Sequence, residues 1–187
     1  MGAAGCGPAV RPVGEDGGAE AVVRDFCTKF GQQRRFAFLS LFPDSARFDI
    51  EGVSVSFVGR DDIARLADYG VAVHERLLAR NPEVVQDTVR CRLEESNDWL
   101  ALLGVRSATY DGLFLVSGEK IARARLDLTP DSREELAGKL AGFLAWLRVQ
   151  DPKALQRILP GGRPAYDCSV VPDLVGRLRQ WRSREHP

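Results

Sequence analysis

Phe48 and Ile50 alternate with Arg47 and Asp49, and Val53, Val55 and Phe57 alternate with Ser54 and Ser56. A period of two marks strands with one buried face, and the Glu51-Gly52 step between the runs predicts an antiparallel hairpin. Beyond Gly59 the period lengthens: Ile63, Leu66, Ala67, Gly70, Val73, His74 and Leu77 fall on one face of a helix, with Asp61 or Asp62 in its first turn, where a carboxylate suits the helix dipole. The stretch from Ala46 to Leu78 therefore reads as a hairpin feeding an amphipathic helix that carries His74. Upstream, Val22, Val23, Phe26, Cys27 and Phe30 form a helical stripe that stops at Gly31, and Phe36, Leu39 and Phe42 predict a shorter second helix ended by Pro43.

Downstream, Asn81-Pro82 breaks the chain. Val85, Val89, Cys91 and Leu93 then predict a long strand with Thr88, Arg90, Arg92 and Glu94 on its other face, Asp87 marking a bulge or a strand end. Residues 95–100 read as one helical turn capped by Ser96 or Asn97 and closed by Gly104. A strand from about Val105 to Val116 turns at Ser117-Gly118 into another, Ile121 to Leu128, which gives an antiparallel hairpin. Ser132 and Glu135 have capping-box spacing ahead of a stripe of Leu136, Leu140, Phe143, Leu144 and Leu147. Asp151-Pro152 opens a short helix ended by Pro160-Gly161-Gly162, and Val171 to Trp181 forms a last amphipathic helix. The expected organisation is a flexible tail over 1–18, a mixed domain over 19–130 and a helical extension over 131–187.

With 187 residues and 44% hydrophobic content the chain fits one domain with appendages. The 26 basic and 26 acidic residues cancel and form no basic block, so neither nucleic acid nor an anionic membrane surface is an expected partner. No apolar run approaches membrane-spanning length. Cys6, Cys27, Cys91 and Cys168 are dispersed without metal-ligand spacing, which argues against a zinc site and fits reduced thiols in the cytoplasm. No nucleophile elbow, phosphate loop, dinucleotide fingerprint or zinc-protease motif is present, and nothing calls for a cofactor.

Helix, helix, hairpin, helix and then long strands describe an α+β domain with helices on the concave face of a bent sheet. The order of Phe48-Asp49-Ile50, Val58-Gly59-Arg60-Asp61-Asp62-Ile63 and Ser117-Gly118-Glu119-Lys120-Ile121 resembles the NTF2-like superfamily, in particular its SnoaL-like branch, over roughly residues 19–129. The resemblance implies a cone-shaped half-barrel of bent antiparallel sheet, closed by the N-terminal helices around a pocket, and a homodimer formed through the sheet. It implies a ligand that is small and apolar. Relatives of that kind include cofactor-independent isomerases, cyclases, dehydratases and hydrolases, alongside non-catalytic ligand-binding or dimerisation modules; the fold leaves the choice open. The C-terminal helices exceed the minimal domain.

His74, within the apolar stripe of the third helix, is a candidate general acid or base, or else a hydrogen-bonded core histidine. Tyr69 near the edge of that stripe is a candidate oxyanion donor or a packing residue. Asp49 leaves the face opposite Phe48 and Ile50, toward cavity or solvent. Arg90, Arg92 and Glu94, with Arg123, Arg125 and Asp127, supply either an arginine–carboxylate site or cross-strand ion pairs. Glu95, Asn97, Asp98 and Trp99, which Tyr110 can approach, form either a pocket rim with Trp99 on a ligand and Glu94 or Glu95 reaching inward, or a ligand-free arrangement of an Asn97 cap and a Trp99 anchor. The candidates are thus His74, Asp49, Glu94 and Asp127 for proton transfer, and Tyr69, Trp99, Tyr110 and Arg125 for substrate contact.

Overall fold

A computed structural model describes residues 16–32 and 34–185; most of the expected tail, and Cys6, lie outside the described residues. Two helices, α1 (Asp16–Gly31) and α2 (Arg35–Leu39), precede the hairpin β1 (Arg47–Ile50) and β2 (Val55–Val58). Then come α3 (Arg60–Ala72), β3 (Arg76–Val85), β4 (Thr88–Ser96), α4 (Asp98–Leu103), β5 (Ala108–Ser117) and β6 (Lys120–Leu128). Three further helices follow, α5 (Pro130–Gln150), α6 (Pro152–Ile158) and α7 (Val171–Glu185).

The six strands form one curved, open sheet in the order β2-β1-β6-β5-β4-β3. Every neighbouring pair is antiparallel except β1 and β6, which run parallel with Arg47 opposite Arg123 and Ile50 opposite Leu126. On the concave side α1 packs chiefly along β3. Phe26, Phe38, Phe42 and Phe114 are fully buried there, with ring centroids 5.4 Å apart for Phe26–Phe38 and 5.3 Å for Phe26–Phe114. A second cluster joins α4 to the C-terminal helices through Leu100, Leu103, Phe143, Leu147, Leu178 and Trp181.

The third helix is shorter than its apolar period predicts. It ends at Ala72, and His74 adopts a left-handed backbone with φ 53°. The His74 amide donates to the Val71 carbonyl and the Glu75 amide to the Gly70 carbonyl, the paired bonds of a Schellman C-cap with histidine in the position glycine usually takes. Leu77 and Leu78 therefore belong to β3. The Asn81-Pro82 step, expected to break the chain, lies inside β3, where pairing with β4 shifts register between Arg80 and Glu83; a bulge absorbs the proline that cannot donate to the ladder. Phe36, expected in an apolar stripe, is 82% exposed. Nor does Ser132 cap α5: Pro130 opens that helix two residues earlier, after Thr129, and the Ser132 hydroxyl accepts from the Thr109 amide at 2.9 Å.

Candidate functional site

The interior is not completely filled. A cavity of about 360 Å³ lies between the concave sheet face and the C-terminal helices, walled by Phe48, Ile50 and Leu126 from the strands, Phe26 from α1, and Leu140 and Phe143 from α5. That volume is at the lower end of the roughly 300–1,000 Å³ typical of small-molecule sites. Against this apolar wall stand Glu75, Glu95, Tyr69, Tyr110, Tyr166 and Trp99, which include all three tyrosines of the chain.

The fold aims each of these for an identifiable reason. The C-cap that ends α3 puts Glu75 directly after the left-handed residue, at the head of β3 and in phase with buried Leu77 and Ala79. Glu95 lies opposite Leu77 on β4, in phase with buried Cys91 and Leu93, and so points to the same side of the sheet. Asn97 caps α4, its side-chain oxygen accepting from the Leu100 amide at 2.8 Å while its Nδ2 donates to Glu95 Oε1 at 2.5 Å. Tyr110 on β5 donates from its hydroxyl to Glu95 Oε2 at 2.7 Å. Tyr69 and Tyr166 meet edge to face, with centroids 5.1 Å apart.

The two glutamates differ in their support. Both are buried, at 9% and 8% exposure for Glu75 and Glu95. Both oxygens of Glu95 are occupied by donors, whereas the Glu75 carboxyl has no hydrogen-bond partner among the described residues. Burial raises the pKa of Glu75 well above the carboxylate range, and the neighbouring Glu95 raises it further. Burial also raises Glu95, and the Tyr110 and Asn97 donors pull it back. The pair is a two-site system that titrates as a unit, with Glu95 the member held by donors. The tyrosines are pushed up by burial and by the glutamates, so they stay phenols. The Trp99 indole N–H is buried without an acceptor. One basic side chain, Arg133, reaches the lining; its guanidinium donates to Asp127 Oδ1 and to the Leu128 carbonyl, both at 3.0 Å.

Of the residues singled out from the sequence, Tyr69, Trp99 and Tyr110 line the cavity, and His74, Asp49, Glu94, Asp127 and Arg125 do not. The His74 side chain is 67% exposed and its Nδ1 lies 2.7 Å from Asp98 Oδ2. Asp49 sits on the outer face, accepting from Ser56 at 2.6 Å, Arg47 at 2.8 Å and Arg123 at 2.9 Å. Burial pushes the Asp49 carboxyl up, but these donors together outweigh burial and leave it below its ordinary range. Glu94 pairs with Arg80 at 3.2 Å, Asp127 with Arg133 at 3.0 Å, and Arg125 with Glu51 at 3.0 Å. Glu75 and Tyr166 had no place among the candidates, although Glu75-Leu77-Ala79 carries a strand period in the sequence. No cluster of three or more potential metal-ligating side chains occurs among the described residues. No helix among them is long and apolar enough to cross a membrane.

No protein-family model matches the sequence, and no curated protein matches it. Solved structures do match in shape. A protein of ketosteroid isomerase-like fold from Catenulispora acidiphila, in complex with trimethylamine, is 13% identical with a TM-score of 0.53, over 63% of this chain and 92% of its own. The epoxide hydrolase/cyclase-like enzyme SalBIII, of pyran ring formation in the polyether salinomycin, is 15% identical with a TM-score of 0.53, over 61% and 92%. A ketosteroid isomerase candidate from Kribbella flavida is 12% identical with a TM-score of 0.52, over 62% and 80%. At these identities the likeness is one of fold, and it leaves more than a third of this chain without a counterpart.

Proposed function

Given that this chain has the NTF2-like fold, we propose that its cavity binds a small, largely apolar molecule and that Glu75 moves a proton on it, as in a cofactor-independent isomerase or cyclase. The observation that carries this reading is a buried carboxyl without a hydrogen-bond partner among the described residues, facing a cavity of about 360 Å³ beside a second carboxyl whose two oxygens are held by donors. A carboxyl whose pKa is raised by burial gives up and takes back a proton closer to neutral pH than an exposed one does, which suits a general acid or base. Burial and then Glu95 raise the proton affinity of Glu75, and Tyr69 and Tyr166 supply neutral phenols at the same wall.

The test is deuterium incorporation into enolisable aryl ketones, amino ketones included, followed by NMR in D2O. Exchange is expected with the wild type, is expected to fall by about 10²–10⁴-fold in Glu75→Gln, and is expected to persist in Asp49→Asn, which alters the outer face. Exchange that is absent throughout, or equal in Glu75→Gln, would sink catalysis by this group. Binding without turnover is the second reading, favoured by the lack of any hydrogen bond to orient the Glu75 carboxyl. Pairing of two copies through the outer sheet face, where Leu78 and Leu115 are exposed, belongs to the same proposal and is measured by light scattering. The free thiols Cys27, Cys91 and Cys168 support a reducing compartment such as the cytoplasm, to be checked by localising a tagged chain.

A further inference from the structure

The cavity contains two acidic groups and no free base. Among the described residues the basic group in its lining is Arg133, and that guanidinium is engaged by Asp127 and the Leu128 carbonyl. The groups that face Glu75 and Glu95 are Tyr69 from α3, Trp99 from α4, Tyr110 from β5 and Tyr166 from the segment before α7, and none carries a positive charge. Buried carboxylates are ordinarily paired with a cation or held by donors. Glu95 has donors; Glu75, nine-tenths buried, has none among the described residues. The surrounding aromatic rings are of the kind whose π faces attract organic cations.

We propose that the ligand of this cavity is a protonated amine on an apolar body, its ammonium group seated between Glu75 and Glu95 against the tyrosines and Trp99. The inference rests on the reading of the cavity as a ligand site and names the substrate class. The ammonium N–H donates to the vacant Glu75 carboxylate, and the aromatic and leucine wall takes the carbon skeleton. A cavity of about 360 Å³ has the liquid volume of about a dozen waters at ~30 Å³ each, so the fitting ligand has about ten to fifteen non-hydrogen atoms. Binding carries a proton balance: the amine enters already protonated, Glu75 ionises to receive it, and the displaced proton leaves to solvent. Glu75 is then a carboxylate held to the ammonium by a charge-assisted hydrogen bond.

Three isosteres test this by calorimetry at neutral pH: N,N-dimethylbenzylamine, the hydrocarbon isobutylbenzene and benzyl methyl ketone. The amine is expected to bind about thirtyfold or more tightly than either neutral probe. Titrations in buffers of different ionisation heat are expected to show about one proton released per amine bound. Glu75→Gln is expected to abolish both the preference and the proton release; the wild-type measurements stand on their own if that variant folds poorly. Equal or tighter binding of the ketone overturns the amine assignment but leaves Glu75 as a neutral acid in a ligand site. Failure of all three to bind overturns both readings, and amine binding without proton release overturns the placement of the ammonium on the carboxyl pair.

Discussion

Replacing Glu75 by glutamine should make the protein more stable at neutral pH and no more stable in acid. Burial and the Glu95 charge raise the native pKa of Glu75 above its unfolded value of about 4.3. Below that value the group is protonated in both states and costs nothing. As pH rises toward the native pKa, the unfolded chain releases the proton while the native chain keeps it, so stability falls through that window. Every tenfold by which the cavity weakens Glu75 as an acid corresponds to about 1.4 kcal/mol. For a chain of 187 residues that is roughly 3–6 °C in Tm. Glutamine has the same shape and cannot ionise, so Glu75→Gln should match the wild type near pH 4 and melt higher by that amount or more at pH 7.5. Calorimetric melts of both proteins between pH 4 and 8 give the difference directly, since the titrating groups other than the coupled Glu95 cancel to first order. A difference in melting temperature between Glu75→Gln and the wild type that is no larger at pH 7.5 than at pH 4 would refute the placement of an unsupported carboxyl inside.

Phe143→Ala should cost about 3–5 kcal/mol, since this fully buried ring meets Trp146 and Trp181 at 6.1 and 5.8 Å and also walls the cavity. The loss should shift one cooperative melt; a separate early transition would mean that the C-terminal helices unfold on their own. Burial raises the Cys27 and Cys91 thiols to about 12 and about 11, so both should resist thiol reagents at pH 8 until urea unfolds the chain, whereas exposed Cys168 should react at once. Early modification of either buried thiol, read by mass spectrometry, would show that the first helix detaches from the sheet.

Much of the frame was legible because its signals are local. The alternation around Phe48 and Phe57 gave β1 and β2, Ser117-Gly118 gave the β5–β6 hairpin, and Asn97 with Gly104 bracketed α4. The parallel pairing of β1 with β6 was not, because no local period encodes a partner so distant in sequence. The missed start of β3 had a specific cause. Val73, His74 and Leu77 continue the 3.6-residue period of α3, and only the left-handed turn at His74 ends it. That one error concealed Glu75 and promoted His74 to a site it does not reach. Strand parity was the other signal: Glu94 points outward and Glu95 inward because Cys91 and Leu93 face in, and the same rule puts Asp49 and Arg125 outside. Tyr166 follows a glycine-rich break, where no period exists to place it.

The wall formed by the last helices bears on how the protein is made. A boundary at residue 130 separates two stretches of sequence but cuts through the lining of one cavity, since Leu126 and Leu128 lie before it and Leu140, Phe143 and Tyr166 after it. A nascent chain that has just completed β6 therefore holds an open apolar bowl with nothing to cover it. At about 5–20 residues per second, the remaining stretch takes roughly 3–12 s to synthesise. During that interval the inner faces of Phe48, Ile50 and Leu126 are the surface most in need of a chaperone, and a product truncated before α5 would carry the same exposed bowl permanently.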